Sequence, residues 1–73
     1  MRAEDALLAL ERYLDAAQSA GLPYVRIVHG KGSGILRQVV RENLPKMHPV
    51  KRWEQAMQNE GGEGVTIAFL ETD

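Results

Sequence analysis

Three glycines at alternate positions separate two different sequence patterns in this chain. The run His29-Gly30-Lys31-Gly32-Ser33-Gly34 follows a short β-branched segment and precedes a stretch whose apolar residues recur at helical spacing. Glycine reaches positive φ at no steric cost, so the run lets the backbone turn sharply from a strand into a helix. Exposed amides at the start of a helix bind anions. The run therefore predicts a strand, an anion-binding loop and a helix in succession.

The patterns along the whole chain predict the order α-β-α-β-β. The first helix covers residues 3–20 and ends at Gly21 and Pro23. Its apolar stripe consists of Leu7, Leu10, Leu14 and Ala17. Strands are predicted over residues 24–29, 50–57 and 64–70, although Val50 does not share the alternation of the rest of its strand. A second helix over residues 35–44 is expected to carry Leu36, Val39, Val40 and Leu44 on one side, and Arg37 and Arg41 on the other.

These elements predict one domain, residues 1–73, of the α/β (α+β) class. The last strand is apolar on both faces, which suggests an inner position in a sheet covered by helices. We expect a two-layer sandwich in which the helices pack against a mixed sheet. The absence of cysteine excludes a disulfide framework, a cysteine-based zinc site and a thiol nucleophile. No apolar run is long enough to span a bilayer and no signal-peptide pattern is present, so we expect a cytoplasmic protein without a membrane partner.

The distribution of charge is more informative than the formal net charge of −1. Residues 1–23 and 53–73 are acidic, with net charges of −2 and −5, whereas residues 24–52 carry seven Lys or Arg against one Glu, a net of +6. A local positive field recruits phosphate whatever the total charge is. The basic middle segment therefore makes a nucleic-acid partner plausible despite the acidic total.

The glycine run and the basic residues near it are the candidate functional residues. We expect the amides of residues 30–34, together with Lys31 and Ser33, to hold a phosphate, while Arg26, Arg37 and Arg41 contact neighbouring phosphates. The nucleic-acid-binding candidates are thus Arg26, Gly30, Lys31, Gly32, Ser33, Gly34, Arg37 and Arg41. The candidate catalytic residues are His29 and Lys31. From the residues alone, His29 is as well explained by a structural hydrogen bond to a loop carbonyl as by general acid or base chemistry.

Other readings of the candidate residues are weaker or excluded. A Walker A loop and a dinucleotide fingerprint both fail on glycine spacing. His48 is expected to be an ordinary loop residue, and Trp53 could stack on a base but is more typical of a core. The two histidines lack the spacing of a zinc site. No cofactor is evident, and although a divalent metal could take part, the chain offers no obvious acidic pair to hold it.

The run from Val28 to Arg37 resembles the HGxG signature of the Smr (small MutS-related) domain family. The segment from Gly61 to Ile67 is similar to the closing glycine-rich hairpin of that family, and Met1 to Leu7 to the opening of its first helix. The subfamily that the chain resembles most is the C-terminal Smr domain of a bacterial MutS paralogue that suppresses homologous recombination. The resemblance implies a β-α-β-α-β-β fold, akin to the C-terminal domain of translation initiation factor three. It also implies DNA or RNA binding and, in several members, nicking; the HGxG positions carry over to His29, Gly30, Lys31 and Gly32.

The chain departs from the family pattern at its start. Family members carry an LDLR- or LDLH-type strand before the first helix, and this chain begins at Met1 where that strand would end. We therefore expect an N-terminally truncated, C-terminal fragment of a MutS-like ATPase that lacks the first strand and its acidic residue. If that acidic residue takes part in cleavage or metal binding, such a fragment is expected to bind without cutting. Its uncovered sheet edge would favour dimerisation or strand exchange.

Together, the residues and the resemblance predict an endonuclease domain that nicks branched or recombination-intermediate DNA. His29 would move a proton to or from the attacking water or the leaving oxygen. Two alternatives stay open, namely a non-catalytic RNA- or ribosome-binding module and a tether for a larger ATPase chain.

Overall fold

The structure is a computed structural model that describes residues 3–32 and 34–71. Ser33, which the sequence places in the phosphate site, and Met1 and Arg2, which belong to the family-like opening segment, lie outside the described residues.

The described chain follows the predicted order of two helices and three strands. Helix α1 spans Ala3–Ser19, strand β1 spans Tyr24–Val28 and helix α2 spans Ile35–Asn43. Strand β2 spans Val50–Gln55 and strand β3 spans Val65–Leu70. Short 3-10 turns at Leu44–Lys46, Gln58–Glu60 and Gly62–Gly64 complete the connections. The α-β-α-β-β prediction is confirmed.

Helix α1 buries the stripe that its sequence predicts and ends at a glycine. Leu10, Leu14 and Ala17 are buried and Leu7 is half-buried, because residues three and four apart share one face of a helix. Gly21 follows with a φ of 77° and donates its amide to the carbonyl of Gln18. The Leu22 amide donates to the carbonyl of Ala17, so the two bonds form a Schellman motif.

Strand β3 occupies the centre of the sheet, as its apolar residues on both faces predict. The strand order is β1-β3-β2, and both pairings are antiparallel. The expected mixed pairing does not occur. Strands β1 and β2 do run in the same direction, but β3 lies between them and takes the hydrogen bonds of both.

A bulge explains the irregular alternation of the second strand. Val50 pairs with Leu70 and Arg52 pairs with Phe69, so Lys51 is an extra residue on β2. An inserted residue reverses the alternation of side chains beyond it. For this reason Val50 and Trp53 both pack against the same core, although their spacing conflicts with a regular strand.

Both helices pack on one face of the sheet, which makes the domain two-layered. The core consists of Leu10, Leu14, Ala17, Val25, Val40, Leu44, Ala68 and Leu70. The opposite face is open, so the helices cover the central strand on one side only. On that face Tyr24 and Phe69 form a ring pair with centroids 6.1 Å apart, and the Arg52 guanidinium lies 4.0 Å from the Phe69 ring centroid.

Neither helix of the described chain combines the length and apolarity that crossing a bilayer requires.

Strand β1 hydrogen-bonds to another described strand on one side only. Dimerisation through its other edge stays a prediction.

Candidate functional site

The glycine loop leaves β1 in a backbone conformation that favours glycine. Gly30, Gly32 and Gly34 have φ angles of 80°, 21° and 83°. Gly34 immediately precedes α2, and its carbonyl accepts the amide of Gln38 at 3.0 Å. The described part of the loop therefore makes the predicted turn from a strand into a helix N-terminus. The turn uses glycine because these φ values are costly for residues with a Cβ.

The loop is anchored to the turn that precedes β3. The amides of His29 and Gly30 both donate to the carbonyl of Gly64, at 3.0 and 2.9 Å. Gly64 is buried, and a Cβ added to it would lie 3.4 Å from the carbonyl carbon of Gly30. The two glycine-rich segments of the sequence thus pack together, and the anchor occupies the Gly30 amide that the sequence assigned to phosphate.

Other amides remain at the mouth of the loop. Among the described residues, the amides of Lys31 and Gly32 donate to no backbone carbonyl. The first amides of an α-helix have no partner within the helix. The amides of Leu36 and Arg37, in the first turn of α2, therefore also face the mouth of the loop. These groups and the exposed Lys31 side chain form a donor-rich surface suited to an anion.

His29 is half-buried and uses both ring nitrogens. Its Nδ1 lies 3.1 Å from the carbonyl oxygen of Gly30, and its Nε2 lies 2.7 Å from the hydroxyl of Thr66. Thr66 is fully buried in β3 and also accepts a hydrogen bond from the Arg41 Nε at 2.9 Å. The imidazole therefore lies between the glycine loop and a polar group in the centre of the sheet.

Arg41 faces the sheet. The sequence had placed it on the side of α2 opposite the apolar residues. Its Nη1 donates to the Gln55 side chain at 3.2 Å, and its guanidinium carbon lies 5.0 Å from the Trp53 ring centroid. Its Nη2 is buried without a hydrogen-bond partner in the described chain. Burial lowers the pKa of the Arg41 guanidinium, the nearby charge of Arg37 lowers it further, and Glu63 opposes the shift. The predicted division of α2 into an apolar and a basic side is correspondingly incomplete, since Leu36 is exposed.

Arg37 lies beside the loop and faces an acidic residue of the segment 53–73. Its Nη1 is 3.7 Å from a Glu63 carboxylate oxygen. A polar recess of about 280 Å³ opens next to the loop, and it is lined by Lys31, Gln55, Gln58, Gly62 and Glu63. The structure thus places Lys31 and Arg37 near the loop, together with a carboxylate that partly neutralises them.

Arg26 lies on the other face of the sheet from His29, because side chains alternate along β1. It pairs in register with Ile67, and its Nη2 donates to the Glu60 carbonyl at 3.0 Å. The structure therefore does not bring Arg26 together with the loop residues.

The remaining candidates contribute little to the loop. His48 is exposed, and Trp53 packs against the core as well as against Arg41. Among residues 3–32 and 34–71, no group of three His, Cys, Asp or Glu side chains could hold a metal ion.

Sequence reasoning did not single out Thr66, Gln55 or Glu63. For Thr66 a signal exists, since it is the one polar residue in the strand Val65–Leu70. The apolar pattern of this strand predicts that it lies in the middle of the sheet, where a polar side chain is unusual. Gln55 and Glu63 offer no such signal, because polar residues at a strand end or in a turn are common.

The comparisons with known proteins agree with this architecture. Residues 1–71 match the Smr domain family. "Endonuclease MutS2" of Thermomicrobium roseum is 56% identical over 72 residues, which are 97% of this chain, and that of Aquifex aeolicus is 46% identical over 68 residues, or 93% of the chain. The chain spans only about 9% of the length of each of these relatives.

A solved structure shows the same fold. The crystal structure of the Smr domain of Thermus thermophilus MutS2 superimposes with a TM-score of 0.92 at 39% identity, covering 97% of this chain and 89% of that one. The family match over nearly the whole sequence, the related proteins and this likeness agree with one another: the chain belongs to the Smr domain family.

Proposed function

We propose that this Smr domain binds the phosphate backbone of DNA at the glycine loop and nicks it, with branched or recombination-intermediate DNA as the substrate. The observation that carries the proposal is the loop itself, where glycines with positive φ expose amides at the start of α2, beside Lys31 and a half-buried histidine. The relatives that bear the name "Endonuclease MutS2" support the same activity.

The arrangement divides the work between binding and chemistry. The amides of Lys31, Gly32, Leu36 and Arg37 surround the phosphate, and the Lys31 ammonium neutralises part of its charge. Arg37 contacts a neighbouring phosphate once it leaves Glu63. His29 lies at the carboxyl end of β1, where it reaches the attacking water or the leaving oxygen. Arg26 and the inward-facing Arg41 contribute less to the phosphate contacts than the sequence predicts.

A nicking assay tests the catalytic part of the proposal. The domain is incubated with supercoiled plasmid, and relaxed product is scored against His29→Ala and against His48→Ala as the matched control. We expect nicking to be lost in His29→Ala and kept in His48→Ala, which changes the same residue type in an exposed loop. Equal nicking by wild type and His29→Ala would remove His29 from the mechanism.

A salt titration tests the binding part independently. For duplex DNA the logarithm of the affinity falls with the logarithm of salt concentration, by about 0.9 per phosphate contact. Lys31→Gln should reduce that slope by about one contact. Lys46→Gln, beyond the opposite end of α2, makes the same change of charge and should leave the slope unchanged. A flat salt response of the wild type would contradict phosphate binding.

A second function uses the same loop without chemistry. Both nitrogens of His29 already have partners within the domain, which favours a module that only binds nucleic acid, such as RNA on ribosomes. Binding of RNA without any nicking of plasmid would favour this alternative. In either case we place the domain in the bacterial cytoplasm, within a longer chain of the MutS2 type.

A further inference from the structure

Thr66 is out of place in an otherwise apolar core. Among the described residues it is the only buried polar or charged one, and it lies in the central strand of the sheet. A buried hydroxyl is costly unless it is hydrogen-bonded. Its oxygen has two polar neighbours, Nε2 of His29 at 2.7 Å and Nε of Arg41 at 2.9 Å.

The chemistry of these groups determines which atom donates each hydrogen. The Arg41 Nε–H can only donate, so the Thr66 oxygen accepts that bond. The Gly30 carbonyl can only accept, so the bond at Nδ1 of His29 requires a hydrogen on that nitrogen. Neutral imidazole carries one hydrogen, which leaves Nε2 as an acceptor. The Thr66 hydroxyl then donates to Nε2, and every bond in the network has one donor and one acceptor.

We propose that Thr66, held by Arg41, is a positioning residue that acts together with the Gly30 carbonyl to keep the His29 imidazole in its Nδ1–H tautomer. The inference rests on the proposed function and makes it more specific. The nitrogen that contacts the core is the acceptor, and the nitrogen that faces the loop is the donor. His29 therefore offers its Nδ1–H as a hydrogen-bond donor to an oxygen of the bound phosphate, in exchange for the Gly30 carbonyl, instead of starting as a base.

The surroundings of Arg41 fit this role. Its guanidinium is held by Gln55 and lies against Trp53, so the Nε–H is fixed in direction. The Arg41 side chain donates hydrogen bonds to Thr66 and Gln55 of the sheet. It forms no ion pair with an acidic side chain of the described residues. Its contacts thus support the hydroxyl that orients the histidine.

Nitrogen NMR of the histidine side chains tests the tautomer directly. In the domain labelled with ¹⁵N-histidine, at a pH where imidazole is neutral, we expect Nδ1 of His29 to carry the hydrogen and Nε2 to be unprotonated. His48, exposed in a loop, is the internal reference in the same spectrum. A wild-type His29 protonated at Nε2 would overturn the proposal without any variant.

Two substitutions of Thr66 complete the test. Thr66→Val keeps the shape and removes the hydroxyl, which leaves only the Gly30 carbonyl to favour the Nδ1–H form. The His29 signals should then move part of the way towards those of His48, whereas Thr66→Ser should keep the wild-type pattern. An unchanged tautomer in Thr66→Val would overturn the proposal.

The nicking rate is a separate readout. Thr66→Val should lower kcat by about 10- to 100-fold, by analogy with the outer hydrogen-bond partners of metal-ligating histidines, whose removal has effects of that size. Wild-type protein that fails to nick would refute the proposed function alone, because the tautomer is measured without substrate. The positioning role would be refuted if the Thr66→Val variant nicked DNA at the wild-type rate.

Discussion

Two glycines with nearly the same backbone conformation allow the role of the loop to be separated from its contribution to stability. Gly21, after α1, has a φ of 77°, and Gly30, in the loop, has a φ of 80°. A Cβ added at either position meets no atom within 4 Å. Alanine therefore introduces no clash at either glycine, and only the backbone preference changes.

The expected cost follows from two opposing terms. An L-residue in the left-handed region costs about 1–2 kcal/mol. Alanine also reduces the conformational entropy of the unfolded chain, which offsets about 0.4–1 kcal/mol. The net loss is about 1 kcal/mol, or about 4–8 °C in Tm for a domain of this size. Because the two positions match in φ and in open space, the same loss is expected at both if the native conformations are kept.

The two variants differ in where the cost can appear. In Gly21→Ala the whole cost should appear in the free energy of unfolding, and DNA affinity should be unchanged. In Gly30→Ala the free loop can relax to negative φ, and the cost then appears as weaker binding, about fivefold for 1 kcal/mol. The loss of stability and the loss of binding free energy in Gly30→Ala should together equal the loss of stability in Gly21→Ala.

Urea unfolding and fluorescence anisotropy with a labelled duplex measure the two quantities. Gly30→Ala with neither a loss of stability nor a loss of affinity would show that binding does not require the loop conformation seen here. A Gly21→Ala variant as stable as wild type would refute the estimate of the backbone cost itself.

Two further substitutions test the charge beside the loop and the packing of α1. Glu63→Gln should tighten DNA binding by up to about fivefold, the equivalent of about 1 kcal/mol, because it frees Arg37 and removes a charge near the phosphate. Glu71→Gln, beyond the far end of β3, is the matched control, and an equal effect of both variants on anisotropy titrations would contradict the local explanation. Leu14→Ala should lower the free energy of unfolding by about 2–5 kcal/mol, since Leu14 is fully buried. Leu8→Ala on the exposed side of α1 should cost under about 0.5 kcal/mol, and similar urea midpoints for both variants would refute this packing of the helix.

Local patterns in the sequence predicted the elements well because each pattern reflects a local physical rule. The stripe of α1 follows from the helical period, and the helix ends at Gly21 because glycine tolerates the left-handed conformation that the Schellman motif requires. The central place of β3 follows from apolar residues on both of its faces. The direction of pairing was less predictable, since the sequence suggested a mixed sheet and β3 pairs antiparallel with both of its neighbours.

The bulge in β2 shows how a local irregularity can be read only with the partner strand. The misplaced parity of Val50 is visible in the sequence, but it predicts only that the strand is irregular. The pairing of Val50 and Arg52 with consecutive residues of β3 identifies the inserted residue as Lys51.

The sequence by itself determined the order of elements, the strand-to-helix turn at the glycine run and the family, because these depend on neighbouring residues. The arrangement of charge and of the hydrogen-bond network depended on the tertiary structure. Residues 24–52 carry a net charge of +6 along the chain, yet β1 alternation sends Arg26 to the open face and α2 turns Arg41 inward. The acidic end of the chain then brings Glu63 to Arg37. The contacts of His29 with Thr66 and of Thr66 with Arg41 join residues 37 and 25 positions apart, and no local pattern specifies such distances.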